Sequence, residues 1–137
     1  MREHILVLFS KDDIASISAR TKIVEQLRGR FFNEGVMVKK TREARYVYEL
    51  TFDNGSMVTA LPIGHDLHGL RVSHIYLCRE VFNMENGAEY VEKVCIPHMV
   101  TENMYSGVKV DDRMFTFKVE DSKLNVDFYQ KDVDESK

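Results

Sequence analysis

The sequence predicts an α/β fold: one domain over residues 1–131, with a mixed sheet, a β-hairpin and one long amphipathic helix. Three observations predict it. An apolar run of strand length, HILVLF at residues 4–9, leads directly into a helical pattern. A period-2 stretch is interrupted by Asp53-Asn54-Gly55, and a third apolar run, VSHIYL, follows at residues 72–77. Strand, helix and further strands in this order are the opening of an α/β unit.

HILVLF has no polar alternation, which suits a strand buried on both faces, as in a parallel sheet. Ser10 is the expected start of the helix, its hydroxyl accepting from the N–H of Asp13 while Asp13 reaches back. Ile14, Ile17, Val24, Leu27 and Phe31 follow at helical spacing, with Arg20, Lys22, Glu25 and Arg28 on other faces. Gly35 is the expected stop. A short strand is expected at residues 36–38, followed by the basic run KKTREAR.

Tyr46, Tyr48, Leu50 and Phe52 alternate with Val47, Glu49 and Thr51. Met57, Val58, Ala60 and Leu61 resume beyond Asp53-Asn54-Gly55, whose residues tolerate positive φ; this predicts a hairpin. After the strand at 72–77, Asn86-Gly87 precedes a helical pattern (Ala88, Val91, Val94, Cys95) that Pro97 is expected to stop. Phe115, Phe117 and Val119 alternate, as do Leu124, Val126 and Phe128 across Glu120-Asp121-Ser122-Lys123. That periodicity favours a second hairpin, although residues 124–131 are also compatible with a helix. Residues 132–137 are charged and expected to be a disordered tail.

Composition narrows the function classes. Nineteen basic and 22 acidic side chains give a net charge of -3, so no global excess of positive charge marks a nucleic-acid binder. The charge is unevenly spread. Residues 20–45 hold Arg20, Lys22, Arg28, Arg30, Lys39, Lys40, Arg42 and Arg45 against Glu25, Glu34 and Glu43, whereas acids outnumber bases from residue 111 onward. Cys78 and Cys95 lie in apolar stretches and read as buried free thiols of a reducing compartment. The apolar run at residues 5–9 is too short for a signal peptide and no run has membrane-spanning length, so a cytoplasmic protein without membrane association is expected.

Four groups of residues are candidates for chemistry or binding. Gly64-His65-Asp66-Leu67-His68-Gly69 has the glycine spacing of a phosphate loop, but Leu70-Arg71 stand where Lys and Ser/Thr are needed, and a strand follows instead of a helix. His65 and His68, with Cys95 and His98, have spacings that four zinc ligands could use; the alternative is two loop histidines, a core thiol and a histidine after a proline. Arg79 beside Cys78 favours a thiolate, and a strand interior opposes one. Lys39, Lys40, Arg42 and Arg45, beside Tyr46 and Tyr48, could track a phosphate backbone while the aromatics stack on bases. The competing reading is a solvated turn leading into a strand whose tyrosines face the core. No cofactor is expected.

Taken in order, the hairpin, the loop and the third strand resemble the ATPase domain of the large terminase, the DNA-packaging motor of tailed bacteriophages. Asp53-Asn54-Gly55-Ser56 matches that family's Asn-Gly-Ser turn, and His68-Gly69-Leu70-Arg71 falls where its Arg-Gly loop belongs. Ile75-Tyr76-Leu77 matches its apolar strand. HILVLFS and the following helix look like the strand and helix after the family's phosphate loop, so the resemblance covers roughly residues 4–80. It implies a P-loop-ATPase-like core without the nucleotide loop, which would lie ahead of Met1.

The departures from the family imply lost chemistry. Cys78-Arg79 occupy the positions of the Asp-Glu pair that holds magnesium and activates water. A thiol does not replace a hard oxygen ligand for magnesium. Glu80 is one residue off, and on a strand it would face the wrong way. The expectation is therefore a non-catalytic, terminase-like, phage-encoded accessory or binding protein in the host cytoplasm. Its partner would be DNA, a packaging motor or another protein of a host nucleic-acid machine, with Arg71 joining the basic run as a binding candidate.

Asp66-Leu67-His68-Gly69-Leu70 also resembles the Asp-Leu-His-Gly signature of small MutS-related nuclease domains, which would make Asp66 and His68 catalytic. The family's downstream glycine-rich His motif is missing. A third expectation is an interaction module that dimerises through an exposed sheet edge.

Overall fold

The structure is a computed structural model that describes residues 2–100 and 109–130; residue 131 and the expected tail, 132–137, lie outside the described residues. Seven strands form one sheet in the order β2-β3-β4-β1-β5-β6-β7. They are β1 (His4–Phe9), β2 (Val38–Glu43), β3 (Tyr48–Phe52), β4 (Met57–Pro62), β5 (His74–Cys78), β6 (Met114–Glu120) and β7 (Lys123–Phe128). Strands β4, β1, β5 and β6 run parallel, and antiparallel pairs close both flanks.

The centre of the sheet explains the uninterrupted apolarity of HILVLF. Ile5, Val7 and Phe9 pack on the face covered by the long helix α1 (Ile14–Asn33), while Leu6 and Leu8 pack on the opposite face. A strand with helices on both faces has no side left for water, so alternation disappears. The expected sheet of HILVLF, the hairpin and the third strand is present, with β1 between β4 and β5.

The start of α1 differs from the sequence reading. Asp13, not Ser10, is the N-cap, and its carboxylate accepts from the N–H groups of Ala15 (2.9 Å) and Ser16 (3.3 Å). One carboxylate satisfies two orphan donors and complements the positive helix end, which a hydroxyl at residue 10 does not match. Ser10 instead donates its N–H to Ser16 Oγ (2.8 Å). The shift leaves Ile14 85% exposed at the first helical position instead of in the core stripe.

The other end is as expected. Gly35 adopts φ +81°, and its N–H reaches Phe32 O (3.0 Å) while Val36 N–H reaches Phe31 O (2.8 Å). That pair of bonds is the Schellman arrangement, which needs a residue free to take a left-handed φ.

The largest correction is β2. The strand spans Val38–Glu43, so residues 39–43, which follow the short strand expected at 36–38, are strand and not a solvated turn. It pairs antiparallel with β3, and Arg45-Tyr46 make the connection. Being an edge strand exposed on both sides, it carries no apolar alternation to betray it.

The β3–β4 hairpin forms at the expected place. Gly55 has φ +89°, and Arg2 crosses it so closely that a Cβ there would lie 2.5 Å from Arg2 Cδ. The β6–β7 hairpin also forms, with Asp121 (φ 53°) and Ser122 (φ 64°) as its two turn residues. Residues 123–128 are therefore strand, not helix.

Strands β5 and β6 are joined across the face opposite α1. The chain makes a 3-10 turn (Arg79–Asn83), a short helix α2 (Gly87–Tyr90), a π turn (Val91–Cys95) and a last 3-10 turn (Ile96–His98). Pro97 does not stop the helix at its predecessor; the chain tightens through it and ends two residues later than expected. Val81, Val91, Cys95 and Met99 of this segment pack on Leu6, Leu8, Ile75 and Leu77. No described helix is long and apolar enough to cross a membrane.

Candidate nucleic-acid interface

The basic residues singled out in the sequence are carried mainly by β2. Register with β3 places Lys40 opposite Thr51 and Arg42 opposite Glu49, so both cations stand on the face away from α1. Their Cα atoms are roughly 7 Å apart along the strand. Lys39 lies at a bulge between Val38 and Lys40, and Arg45 is in the turn beyond. All four side chains are exposed, and none makes an ion pair among the described residues. A row of exposed cations without close ion pairs on a sheet edge is suited to a polyanion.

The aromatic half of the expected arrangement is different. Tyr46 and Tyr48 are half-buried and pack on the α1 core. Arg45 and Lys11 lie over the Tyr46 ring, 5.2 Å and 5.6 Å from its centroid. The tyrosines brace the strand and orient two cations; they do not offer open faces for bases.

Arg71 is not part of this row. It precedes β5 and lines a cleft of about 320 Å³ with Arg2, His4 and Ser73 at the amino ends of the parallel strands. Three strand spacings, roughly 14 Å, separate β1 there from β2.

The end of β5, where the terminase resemblance locates a metal-binding carboxylate, is closed. Cys78 is fully buried, and burial pushes its thiol up to about 11, with a Ser16 hydroxyl contact opposing only in part. Cys95, equally buried on the opposite face, is pushed up to about 12. Both are neutral core thiols at neutral pH. Glu80 is not on a strand, because β5 ends at Cys78 and a 3-10 turn begins at Arg79. The turn brings the Glu80 carboxylate near Cys78, where it raises the thiol pKa further, and leaves its Oε1 buried without a hydrogen-bond partner.

The loop residues serve local structure. Asp66 Oδ1 accepts from the N–H of His68 (2.9 Å), closing a turn, and both side chains are exposed. The sharp strand-to-helix turn of the nuclease signature is not what these residues form. The candidate zinc set does not converge: His65 and His68 are exposed, Cys95 is in the core, and His98 Nδ1 bonds Leu70 O (2.9 Å). Among the described residues, no three His, Cys, Asp or Glu side chains are placed to hold a metal.

Sequence reasoning missed a polar network at the amino edge of the sheet. Glu3 is gripped by Arg30 Nη2, with both carboxylate oxygens at 2.9 Å, and lies 3.7 Å from His74 Nδ1. On the other face His4 Nε2 is 3.0 Å from Thr59 Oγ1, which donates to Glu49 Oε2 (3.3 Å). Burial lowers the pKa of both histidines. Glu49 and the Arg71 carbonyl oppose this at His4. At His74, Glu3 opposes while Arg30 and Arg113 reinforce it.

A depressed folded pKa means that the unfolded chain binds protons first. Stability from these groups is complete above about pH 6.5 and is lost as pH falls toward the folded values. The urea midpoint is expected to drop between about pH 7.5 and pH 5.5, and an unchanged or higher midpoint at the lower pH would contradict the assignment. The sequence signal, one histidine opening a predicted strand and another inside the first half of a later one, was too generic to find this network. Comparisons with protein-family models, curated proteins and solved structures find no match to this chain.

Proposed function

We propose that this chain is a non-catalytic docking protein on a terminase-like α/β scaffold, whose β2 edge engages the phosphate backbone of nucleic acid in the cytoplasm of a phage-infected host. The observation that carries the reading is the set of exposed cations Lys39, Lys40, Arg42 and Arg45 with no ion-pair partner among the described residues. The buried, neutral Cys78 at the end of β5 supports the non-catalytic half.

The test is anisotropy of a labelled DNA duplex at several salt concentrations. Each neutralised phosphate contributes about 0.9 to the slope of log affinity against log salt. The double variant Lys40→Glu/Arg42→Glu is expected to weaken binding about tenfold or more and to flatten that slope by about two contacts. Binding that ignores both salt and the double variant would overturn the phosphate reading. Magnesium-dependent ATP hydrolysis that disappears in Glu80→Gln would overturn the non-catalytic one.

A further inference from the structure

The sheet ends at β2, and no described strand pairs with its outer edge. The Ala44 N–H donates to Val47 O (2.9 Å) across the Arg45-Tyr46 turn. Alternation along an antiparallel ladder then makes Arg42/Glu49 and Lys40/Thr51 the hydrogen-bonded pairs. The N–H and C=O groups of Thr41 and Glu43 therefore point outward, away from β3. Beside the amino half of this edge, on the α1 side, lies a groove of about 230 Å³ lined by Arg28, Phe32, Val36, Met37, Val38 and Phe52. Phe32 is 61% exposed and Met37 50%. Two large apolar side chains at one rim are a feature that a phosphate backbone would leave unused.

We infer that the outer edge of β2 takes an extended acidic segment of a partner protein as an added strand, with one apolar side chain of that segment seated in the Phe32–Met37 groove. Main-chain bonds supply the docking and the groove selects the side chain, as in other strand additions. The acidic character follows from Arg28 in the groove wall and Lys39 at the bulge beside it. The carboxylate next to Phe52, Asp53, is turned onto the Met37 N–H (3.4 Å). Glu25 and Glu43 line a separate cleft at the carboxyl half of β2.

A second copy of this chain fits poorly. Antiparallel pairing about Thr41 sets Lys40 opposite Arg42, and like charges directly opposed destabilise a ladder. The inference goes beyond the nucleic-acid reading, because the Lys40 and Arg42 side chains stand on the other face of the strand.

The probe is a labelled peptide, Ac-Asp-Glu-Val-Phe-Val-Glu-Asp-NH2, titrated into the full chain by anisotropy, with amide hydrogen exchange as a second readout. Saturable binding is expected, with slower exchange at Thr41 and Glu43. The same peptide with lysines in place of its acids should bind about tenfold or more weakly. Thr41→Pro removes an outward N–H, a substitution that an edge strand tolerates, and Phe32→Glu changes an exposed position. Each variant should weaken the acidic peptide about tenfold or more, and Phe32→Glu, which lies off the strand, should leave DNA binding as in the native chain.

The inference is overturned by absence of peptide binding, or by affinity that neither variant changes. It also fails if a concentration-dependent dimer disappears in Thr41→Pro, since the occupant is then a second copy, or if Thr41→Pro loses DNA and DNA displaces the peptide, since the edge is then a nucleic-acid site. Peptide binding in the expected pattern with no DNA binding would remove only the earlier phosphate reading.

Discussion

Phe52→Ala is expected to cost about 3–5 kcal/mol, a large part of a typical domain's stability. Phe52 is 1% exposed, and its ring stacks on Phe31 with centroids 4.3 Å apart. Three elements meet at this ring. Phe31 closes the end of α1 by accepting from Val36 N–H, Phe52 pairs with Val38 at the start of β2, and its own N–H donates to Ser56 O across the hairpin turn. Truncation would leave a cavity beneath the Phe32–Met37 groove and loosen the edge strand on which both binding proposals depend. Urea unfolding would show this as a lower midpoint with the slope unchanged. The neighbouring Phe32→Ala, at an exposed position, should stay within about 0.5 kcal/mol of the native chain. A loss below about 1 kcal/mol for Phe52→Ala would mean that the ring does not tie these elements together.

The same pair of phenylalanines shows what the sequence could and could not reveal. A helix turns by 100° per residue, so two adjacent rings cannot share one buried face. The periodicity placed Phe31 inward correctly, and Phe32 was therefore outside; the groove it rims, made with Met37, depends on where β2 docks. The central strands were legible because burial on both faces leaves an unbroken apolar run. The β3–β4 turn was legible because Gly55 adopts a left-handed φ.

Strand β2 was not legible, since an edge strand exposed on both sides has the composition of a loop. Its turn to β3, Arg45-Tyr46, contains no glycine. The start of α1 was misplaced for a local reason: Ser10 and Asp13 are both residue types that cap helices, and it is Asp13 whose side chain reaches the free N–H groups of Ala15 and Ser16. The cations of β2 were found by charge alone. Arg71 was grouped with them because sequence does not give strand order, and strand order puts β3, β4 and β1 between β2 and the β5 strand that Arg71 precedes.

Restoring the carboxylate that a terminase-like site would carry is expected to damage the protein instead of reviving it. Cys78→Asp puts an ionisable group where the native thiol is fully buried, against Phe117, Phe9 and the other residues of the α1 core. Among the described residues no cation acts on Cys78: the groups that do are the Ser16 hydroxyl, backbone groups of Ser10 and Val81, and the like charge of Glu80. An uncompensated buried charge costs about 3–5 kcal/mol.

The pH dependence gives the cause away. Burial and Glu80 both raise the folded-state pKa of an aspartate here, so the folded form keeps its proton after the unfolded form has lost it. The variant is then least harmed below about pH 4, and its deficit against the native chain grows as pH rises toward the folded value. Cys78→Ser, which never ionises, should show a smaller loss of about 1–3 kcal/mol that does not vary with pH. Urea midpoints at about pH 4 and pH 7, with and without magnesium, separate the possibilities. If Cys78→Asp matched the native chain at neutral pH and gained stability from magnesium, the end of β5 would be open to an ion. The scaffold would then retain a working metal position, and the non-catalytic reading would fall. If it is destabilised in step with its own ionisation, that position belongs to the hydrophobic core, and binding must be sought at the surface that β2 leaves open.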